Sequence, residues 1–220
     1  NITTKEKNII IPSLTRPRQI ALDSNGNVYV ACEDGAVKMW EKSTGTVSPV
    51  TSNLFGAQGI AVLPDGTIYV LCYSRHSDSP LIGVSYSGGK LYQINNGKAK
   101  AVFGGDTQYV WRARGLTVDE HGYLYVSGES NAWDNGNSSL FARFNPGKRT
   151  LNSVFNGLDF STFNAYGEDG RFYMPLARDQ KLLAYSEKAE AEFEEQTWTD
   201  IRDSRVSTYG GSYVSASDAN

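Results

Sequence analysis

The sequence is poor in the residues that most often carry metal or nucleophilic chemistry. Its 220 residues include only two histidines and two cysteines, and two histidines are too few for a zinc site built from three histidine ligands. Basic clusters are also missing and the formal net charge is −3, which argues against a nucleic-acid-binding surface. No segment approaches the roughly 20 apolar residues of a membrane helix. The sequence therefore predicts neither a nucleic-acid partner nor a membrane span.

The two cysteines occupy equivalent places in the chain. Cys32 lies six residues after Gly26, and Cys72 lies six residues after Gly66. Equivalent strand positions in neighbouring repeats are expected to be farther apart than the ~7 Å between Cα atoms that a disulfide tolerates. We therefore predict two buried free thiols, with a disulfide as the alternative.

A repeated phrase dominates what the sequence does contain. Two short apolar runs, such as those ending at Val62 and Val70, flank a turn and alternate in the manner of half-buried strands. The turn contains a glycine, as in Asp65-Gly66, because glycine accepts the positive φ that tight hairpins need. The three clear copies and one degenerate copy are residues 18–30, 58–70, 114–126 and 162–174.

A second predicted hairpin follows each phrase, so each repeat supplies four antiparallel strands. The turn glycines Gly26, Gly66, Gly122 and Gly170 recur at intervals of 40, 56 and 48 residues. Intervals of roughly 40–50 residues are typical of a propeller blade. We therefore predict an all-β propeller of four-stranded antiparallel blades. The longer repeats carry predicted insertions at residues 73–89, 104–112 and 130–138.

Both ends of the chain bear on the number of blades. Residues 205–214 resemble the start of a fifth, worn repeat, and residues 8–14 resemble an outer strand of a preceding blade. We predict a single domain, residues 1–220, with five blades closed by the N-terminal strand, since closure removes exposed sheet edges. A fragment of a six-bladed propeller is the alternative. The predicted repeats are residues 15–56, 57–112, 113–160, 161–201, and 202–220 together with 1–14.

The second copy of the phrase, Gly59-Ile-Ala-Val-Leu-Pro-Asp-Gly-Thr-Ile-Tyr-Val70, resembles the repeats of NHL-type propellers and their relatives. These relatives include the gluconolactonase/regucalcin-like lactonases, the strictosidine-synthase-like proteins and virginiamycin B lyase. The resemblance extends over four to five repeats. It implies the fold more strongly than the function, because these families share the blade and differ in the site.

The lactonase-like relatives imply a divalent cation, calcium or magnesium, held by oxygen ligands at the mouth of the central channel. Glu33 and Glu129 each lie seven residues after a turn glycine, so they are expected near one end of the ring. Alternatively, they are separate surface carboxylates that pair with Arg75, Arg114 or Arg178. The candidate metal ligands are Glu33, Asp34, Glu129, Asn131 and Asp218.

Histidine supplies one candidate catalytic residue. His121 occupies a predicted hairpin turn, where we expect a purely structural role. His76 lies in a predicted polar loop, and since the imidazole group in general titrates near neutrality, it is the candidate general base that the lyase-like relatives imply. A solvated loop side chain is the alternative for His76.

Aromatic residues are concentrated in or beside the predicted insertions. Tyr and Trp side chains give a large contact area at low entropic cost and are common in binding sites. The alternative is that these rings close the blade ends as small hydrophobic clusters. The predicted binding residues are Tyr73, Tyr86, Tyr109, Trp111, Arg112, Trp133 and Asp134.

Two functional predictions follow from these patterns. The first is a secreted, non-catalytic propeller that binds a protein, a glycan or a like subunit, the last by strand addition to an incomplete blade. The second is a metal-dependent, lactonase-like hydrolase or lyase. An extracellular or periplasmic location is predicted from the composition and from two sequons, at Asn1 and Asn137. The first residue is Asn rather than Met, which fits removal of a secretory signal.

Overall fold

The computed structural model describes residues 7–76, 85–103, 111–129, 139–158, 163–176, 181–186 and 212–215. Within these ranges every regular element is a β-strand. The strands form four sheets of four, each ordered along the chain with antiparallel neighbours. The predicted all-β class and four-stranded antiparallel blade are therefore confirmed, and the sheets are called blades 1 to 4.

The strand limits are as follows. Blade 1 contains β1 (Pro17–Leu22), β2 (Val28–Cys32), β3 (Val37–Trp40) and β4 (Val47–Thr51). Blade 2 contains β5 (Ala57–Val62), β6 (Ile68–His76), β7 (Ser85–Asn95) and β8 (Lys98–Phe103). Blade 3 contains β9 (Trp111–Val118), β10 (Leu124–Glu129), β11 (Ser139–Asn145) and β12 (Thr150–Leu158). Blade 4 contains β13 (Ala165–Tyr166), β14 (Phe172–Leu176), β15 (Lys181–Ser186) and β16 (Ser212–Ser215).

The turn between the first two strands of each blade is organised by a carboxylate. In blade 1, Oδ1 of Asp23 accepts hydrogen bonds from the backbone N–H groups of Asn25 and Asn27, both at 2.9 Å. Its Oδ2 accepts the hydroxyl of Tyr29 at 3.2 Å. The turn glycine, Gly26, has a φ of +77°, the left-handed conformation that the sequence predicted.

The other blades reproduce this turn with the carboxylate at one of two positions. Asp119 of blade 3 sits three residues before its glycine, as Asp23 does, and accepts the N–H of His121 and the hydroxyl of Tyr125. Asp169 of blade 4 sits immediately before its glycine and accepts the hydroxyl of Tyr173 at 2.5 Å. His121 is exposed in the turn. The hydrogen bond from a strand tyrosine to the turn carboxylate therefore forms with the aspartate either three residues or one residue before the glycine.

Hydrophobic clusters join successive blades face to face. Ala31 and Val37 of blade 1 pack with Ile60 and Val70 of blade 2. Leu71 and Leu91 of blade 2 pack with Leu124 and Phe144 of blade 3. Tyr125 and Phe141 of blade 3 pack with Phe172 and Tyr185 of blade 4. The inner strands β1, β5 and β9 contact one another in succession, as in the centre of a propeller.

One face of blade 1 is open to solvent. Ile20 and Leu22 on β1 are 59% and 58% exposed. Their equivalents on β5, Ile60 and Val62, are 1% and 5% exposed because they pack against blade 1. Blade 1 therefore exposes an apolar surface whose counterpart on blade 2 is buried between two blades.

Two details of the predicted ring closure are wrong. Residues 8–14 form no strand, and Ile9 among them is 87% exposed. Tyr213 and Val214 lie on β16, which pairs with β15 as the fourth strand of blade 4 rather than opening a fifth blade. Their resemblance to a first hairpin was misleading because a Tyr-Val pair suits any strand.

Candidate ligand site at the start of the inner strands

The topology brings most candidate residues to one end of the blades. Because neighbouring strands are antiparallel, the starts of β1, β5 and β9 lie at the same end as the finishes of β2, β6 and β10. We call this the entry end. Glu33 directly follows β2, and His76 and Glu129 are the last residues of β6 and β10. The predicted equivalence of Glu33 and Glu129 is therefore matched in the backbone.

Several predicted binding residues lie on strands rather than in loops. Tyr73 is opposite Gly89, and Arg75 is opposite Tyr86, in the pairing of β6 with β7. Trp111 opens β9 opposite Glu129, and Arg112 follows it on the same strand. Two of the three predicted insertions, residues 73–89 and 104–112, are therefore shorter than predicted, because the strands extend into them. The candidates that lie outside the described residues are Tyr109, Asn131, Trp133, Asp134 and Asp218.

Glu33 is engaged by arginine. Its carboxylate contacts the guanidinium of Arg18 and lies 3.8 Å from that of Arg16, and its side chain is only 11% exposed. The alternative prediction of an ion pair with arginine therefore fits Glu33. Its partners are Arg16 and Arg18 rather than Arg75, Arg114 or Arg178. Asp34 instead accepts the backbone N–H of Ala36 at 3.2 Å, which gives it a local structural role.

A glutamine links the inner strands of blades 1 and 3. Nε2 of Gln19 donates to the carbonyl of Leu116 at 2.7 Å, and the N–H of Leu116 donates to Oε1 of Gln19 at 3.2 Å. β9 is the innermost strand of its sheet, so its inner edge has no partner strand within blade 3. The carboxamide of Gln19 satisfies that edge at Leu116.

Glycines allow this close approach of the inner strands. A Cβ on Gly59 of β5 would lie 2.7 Å from Cβ of Leu116 and 3.1 Å from Oε1 of Gln19. A Cβ on Gly115 of β9 would lie 3.1 Å from the backbone of Phe163 and Asn164. Contacts this short between Cβ and neighbouring atoms force displacement, so glycine is required here by space and not by φ.

Asn164, the residue directly before β13 of blade 4, contacts the inner strand β9 of blade 3. The hydroxyl of Thr117 on β9 donates to the backbone carbonyl of Asn164 at 3.0 Å, and it also contacts Oδ1 of that residue. Asn164 is 7% exposed, and its Nδ2 has no hydrogen-bond partner among the described residues. The inner strands of the described blades are thus linked by side-chain amides and backbone groups.

Three polar residues precede these contacts at the same position of the repeat. Arg18, Gln58 and Arg114 each lie eight residues before a turn glycine. The strand register is irregular at residue 18 in blade 1 and at residue 58 in blade 2, and between Gly115 and Trp111 in blade 3. We call them the bulge residues. Sequence reasoning missed them as a set, although their common offset from the glycine was a usable signal.

The bulge residues include buried donors. Gln58 is 2% exposed, and its Nε2 has no hydrogen-bond partner among the described residues. Nε of Arg114 is likewise buried and without a partner there. Buried donors in native proteins are normally satisfied by protein, water or ligand, so these atoms indicate where a polar group binds.

The described residues offer little to a metal or a nucleophilic mechanism. They contain no group of three or more His, Cys, Asp or Glu side chains placed to hold a metal ion. Cys32 and Cys72 are free and buried, as predicted. Burial raises the pKa of the Cys72 thiol to about 12 and also raises that of Cys32, so neither forms a reactive thiolate near neutral pH.

The architecture and these contacts between inner strands define a β-propeller-type protein. A gluconolactonase from Xanthomonas campestris has a similar structure, with a TM-score of 0.61 and 14% identity over 81% of this chain and 61% of that one. An auxiliary nutrient binding protein from Bacteroides thetaiotaomicron is similar with a TM-score of 0.58 and 14% identity, over 84% of this chain and 41% of that one. A Bacteroides ovatus protein of the same description gives 0.57 and 12%, over 81% and 40%.

These similarities establish the fold. The chain spans between 40% and 61% of the length of these three proteins. No protein-family model and no curated protein sequence matches the chain. In the described part of the chain, no helix is long and apolar enough to cross a membrane.

Proposed function

We propose that the chain is a secreted, non-catalytic propeller that binds a glycan at the entry end of its blades. The observation that carries this proposal is the engagement of Glu33 by Arg18 and Arg16. A carboxylate that already contacts two guanidinium groups is a poor ligand for a divalent cation, because the metal would have to displace them. The entry end is thereby better suited to recognition than to metal-assisted hydrolysis.

Aromatic residues at the same end support a glycan as the ligand. Tyr73, Tyr86 and Trp111 lie on strands that start or finish there. Aromatic rings contribute large, rigid contact area at low entropic cost, and sugars stack on them. Two structural neighbours are described as auxiliary nutrient binding proteins, which agrees with a binding role for this fold.

The test is a glycan array followed by titration of the purified chain with the best soluble glycan. Trp111→Ala is expected to weaken binding at least tenfold. Trp40→Ala is the matched control, because Trp40 ends β3 at the opposite end of blade 1, and it is expected to bind as the unmodified chain does. Binding to no glycan would overturn the proposal, and equal losses in both variants would place the site elsewhere. Capture of a protein or a second copy alone would identify a different ligand class.

A metal-dependent hydrolase or lyase is the second candidate. It is favoured by the equivalent positions of Glu33 and Glu129 at the strand ends and by the gluconolactonase among the structural neighbours. In that case millimolar calcium or magnesium raises the melting temperature, because a ligand that binds only the native state stabilises it. Glu33→Gln would abolish that rise. An unchanged melting temperature with either ion contradicts this candidate.

A further inference from the structure

The bulge residues lie in one layer. Arg18 precedes Gln19, and Gln58 precedes Gly59, while Arg114 is separated from Leu116 by a single residue. Gln19 hydrogen-bonds Leu116, and an ideal Cβ on Gly59 would touch both. The inner strands of blades 1, 2 and 3 therefore converge within one side chain's length, and the residues just before that point are neighbours at the entry end.

Several described side chains of this layer are hydrogen-bond donors. Arg18 and Arg114 carry permanent positive charges and present five N–H donors each. The carboxylate of Glu33 is already contacted by Arg18 and Arg16. Nε of Arg114 and Nε2 of Gln58 are buried donors without partners among the described residues. An anion with two or more oxygen atoms complements such a set, because guanidinium groups bind carboxylates through two parallel bonds.

Blade 2 breaks the repeat at this layer. Blades 1 and 3 place an arginine eight residues before the turn glycine and a glutamate seven residues after it, whereas blade 2 places Gln58 and Tyr73 at those two positions. This difference removes one positive and one negative charge from blade 2, where Gln58 is almost fully buried and its Nε2 has no partner among the described residues. The departure from the repeat coincides with a buried polar atom that has no partner among the described residues, which makes Gln58 a candidate binding position.

We propose that Arg114 and Gln58, with Arg18 beside them, bind the carboxylate of an acidic sugar. The guanidinium of Arg114 and Nε2 of Gln58 donate to the carboxylate oxygens. This inference rests on the proposed glycan-binding function and narrows the ligand to a uronic-acid-containing glycan.

The experiment compares galacturonate oligomers with galactose oligomers of equal length, using titration of the full chain at low salt. The acidic oligomer is expected to bind at least tenfold more tightly, with an affinity that falls as salt is added, since screening weakens charge pairing. Arg114→Met is expected to remove the preference for the acidic oligomer. Gln58→Glu, which is isosteric and adds a negative charge, is expected to weaken binding of the acidic oligomer more than that of the neutral oligomer.

Lys100→Met is the control for charge. Lys100 is exposed on β8, and its loss changes the net charge by the same amount as Arg114→Met. It is expected to retain the preference. The melting temperature of each variant verifies folding, and Gln58→Glu keeps the test valid should Arg114→Met fail to fold. Equal binding of both oligomers would overturn the carboxylate site while leaving the glycan function intact, and binding of neither oligomer or any arrayed glycan would overturn both. A preference that persists in both site variants would also contradict the inference.

Discussion

The carboxamide of Gln19 pairs with both backbone groups of Leu116, 97 residues away in sequence. The pairing imitates one rung of a β-ladder, with a side chain in place of a strand. It occurs where the inner edge of blade 3 would otherwise leave an N–H and a C=O unsatisfied in a part-buried position. Blade 1 is thereby tied to blade 3 across the glycine of blade 2.

Removing this pairing is expected to destabilise the protein. Gln19→Leu has nearly the same volume but leaves the backbone groups of Leu116 without partners, at a cost of about 1–3 kcal/mol in the free energy of unfolding. Chemical denaturation of the variant measures the loss. Lys98→Met, at an exposed position on β8, is the matched control and is expected to change stability by about 0.5 kcal/mol or less. An unchanged free energy of unfolding in Gln19→Leu would contradict this prediction and show that water satisfies the backbone groups of Leu116 in place of the carboxamide.

Gly59→Ala tests the close approach of the inner strands. The added methyl group would lie 2.7 Å from Cβ of Leu116, and overpacking of this kind costs about 1–3 kcal/mol. Gly147→Ala is the control, because its new Cβ meets only Oδ1 of Asn145, at 3.4 Å. We expect a lower midpoint of urea unfolding for the first variant and little change for the second. Similar midpoints for both would mean that the blades separate easily.

Asp23 and Asp119 should respond to pH in opposite ways, although they occupy equivalent turns. Burial alone would raise the pKa of Asp23, but hydrogen bonds from Asn27, Asn25 and Tyr29 together lower it below 3.8. For Asp119 burial dominates, and the hydrogen bonds from His121 and Tyr125 offset it only in part, so its pKa is raised above 3.8. Asp119 is 7% exposed, whereas Asp23 is only partly buried, and this accounts for the difference in pKa.

These directions fix the sign of each pH dependence. Stability from Asp23 is present above its unfolded pKa and is lost as the pH falls through the lower folded value. The contribution of Asp119 is present below its unfolded pKa and is lost as the pH rises through the higher folded value. Relative to the unmodified chain, Asp23→Asn should therefore lose stability as the pH rises, whereas Asp119→Asn should gain. Urea unfolding between about pH 3 and pH 6 measures both, and slopes of the same sign would refute the assignment.

The repeated hairpin was predictable because its signals are local. The alternation of apolar residues and the glycine at positions such as 66 depend only on neighbouring residues, and the observed φ of +85° at Gly66 agrees. The glycines at 59 and 115 were not explained by such reasoning. Their cause is a neighbouring blade at close range, which the hairpin pattern alone does not reveal.

The candidate site was predictable in location but not in detail. Offsets from the turn glycine correctly placed Glu33 and Glu129 at one end of the blades. The arginine partners of Glu33 come from the approach to β1 and from β1 itself, and the choice among many arginines depends on how the chain enters the blade. The misassignment of Tyr213 arose because an outer strand and an inner strand share the same residue preferences.

The exposed face of blade 1 provides a test of ring closure. Ile60→Ala should cost about 2–5 kcal/mol, because Ile60 is buried between blades 1 and 2. Ile20→Ala, at the equivalent position on β1, should cost about 0.5 kcal/mol or less while Ile20 remains 59% exposed. Denaturation of the two variants at several protein concentrations gives both values. A cost for Ile20→Ala close to that of Ile60→Ala would mean that another sheet covers Ile20 in solution. Dependence of that cost on concentration would then assign the sheet to a second chain, whereas a constant cost would assign it to the same chain.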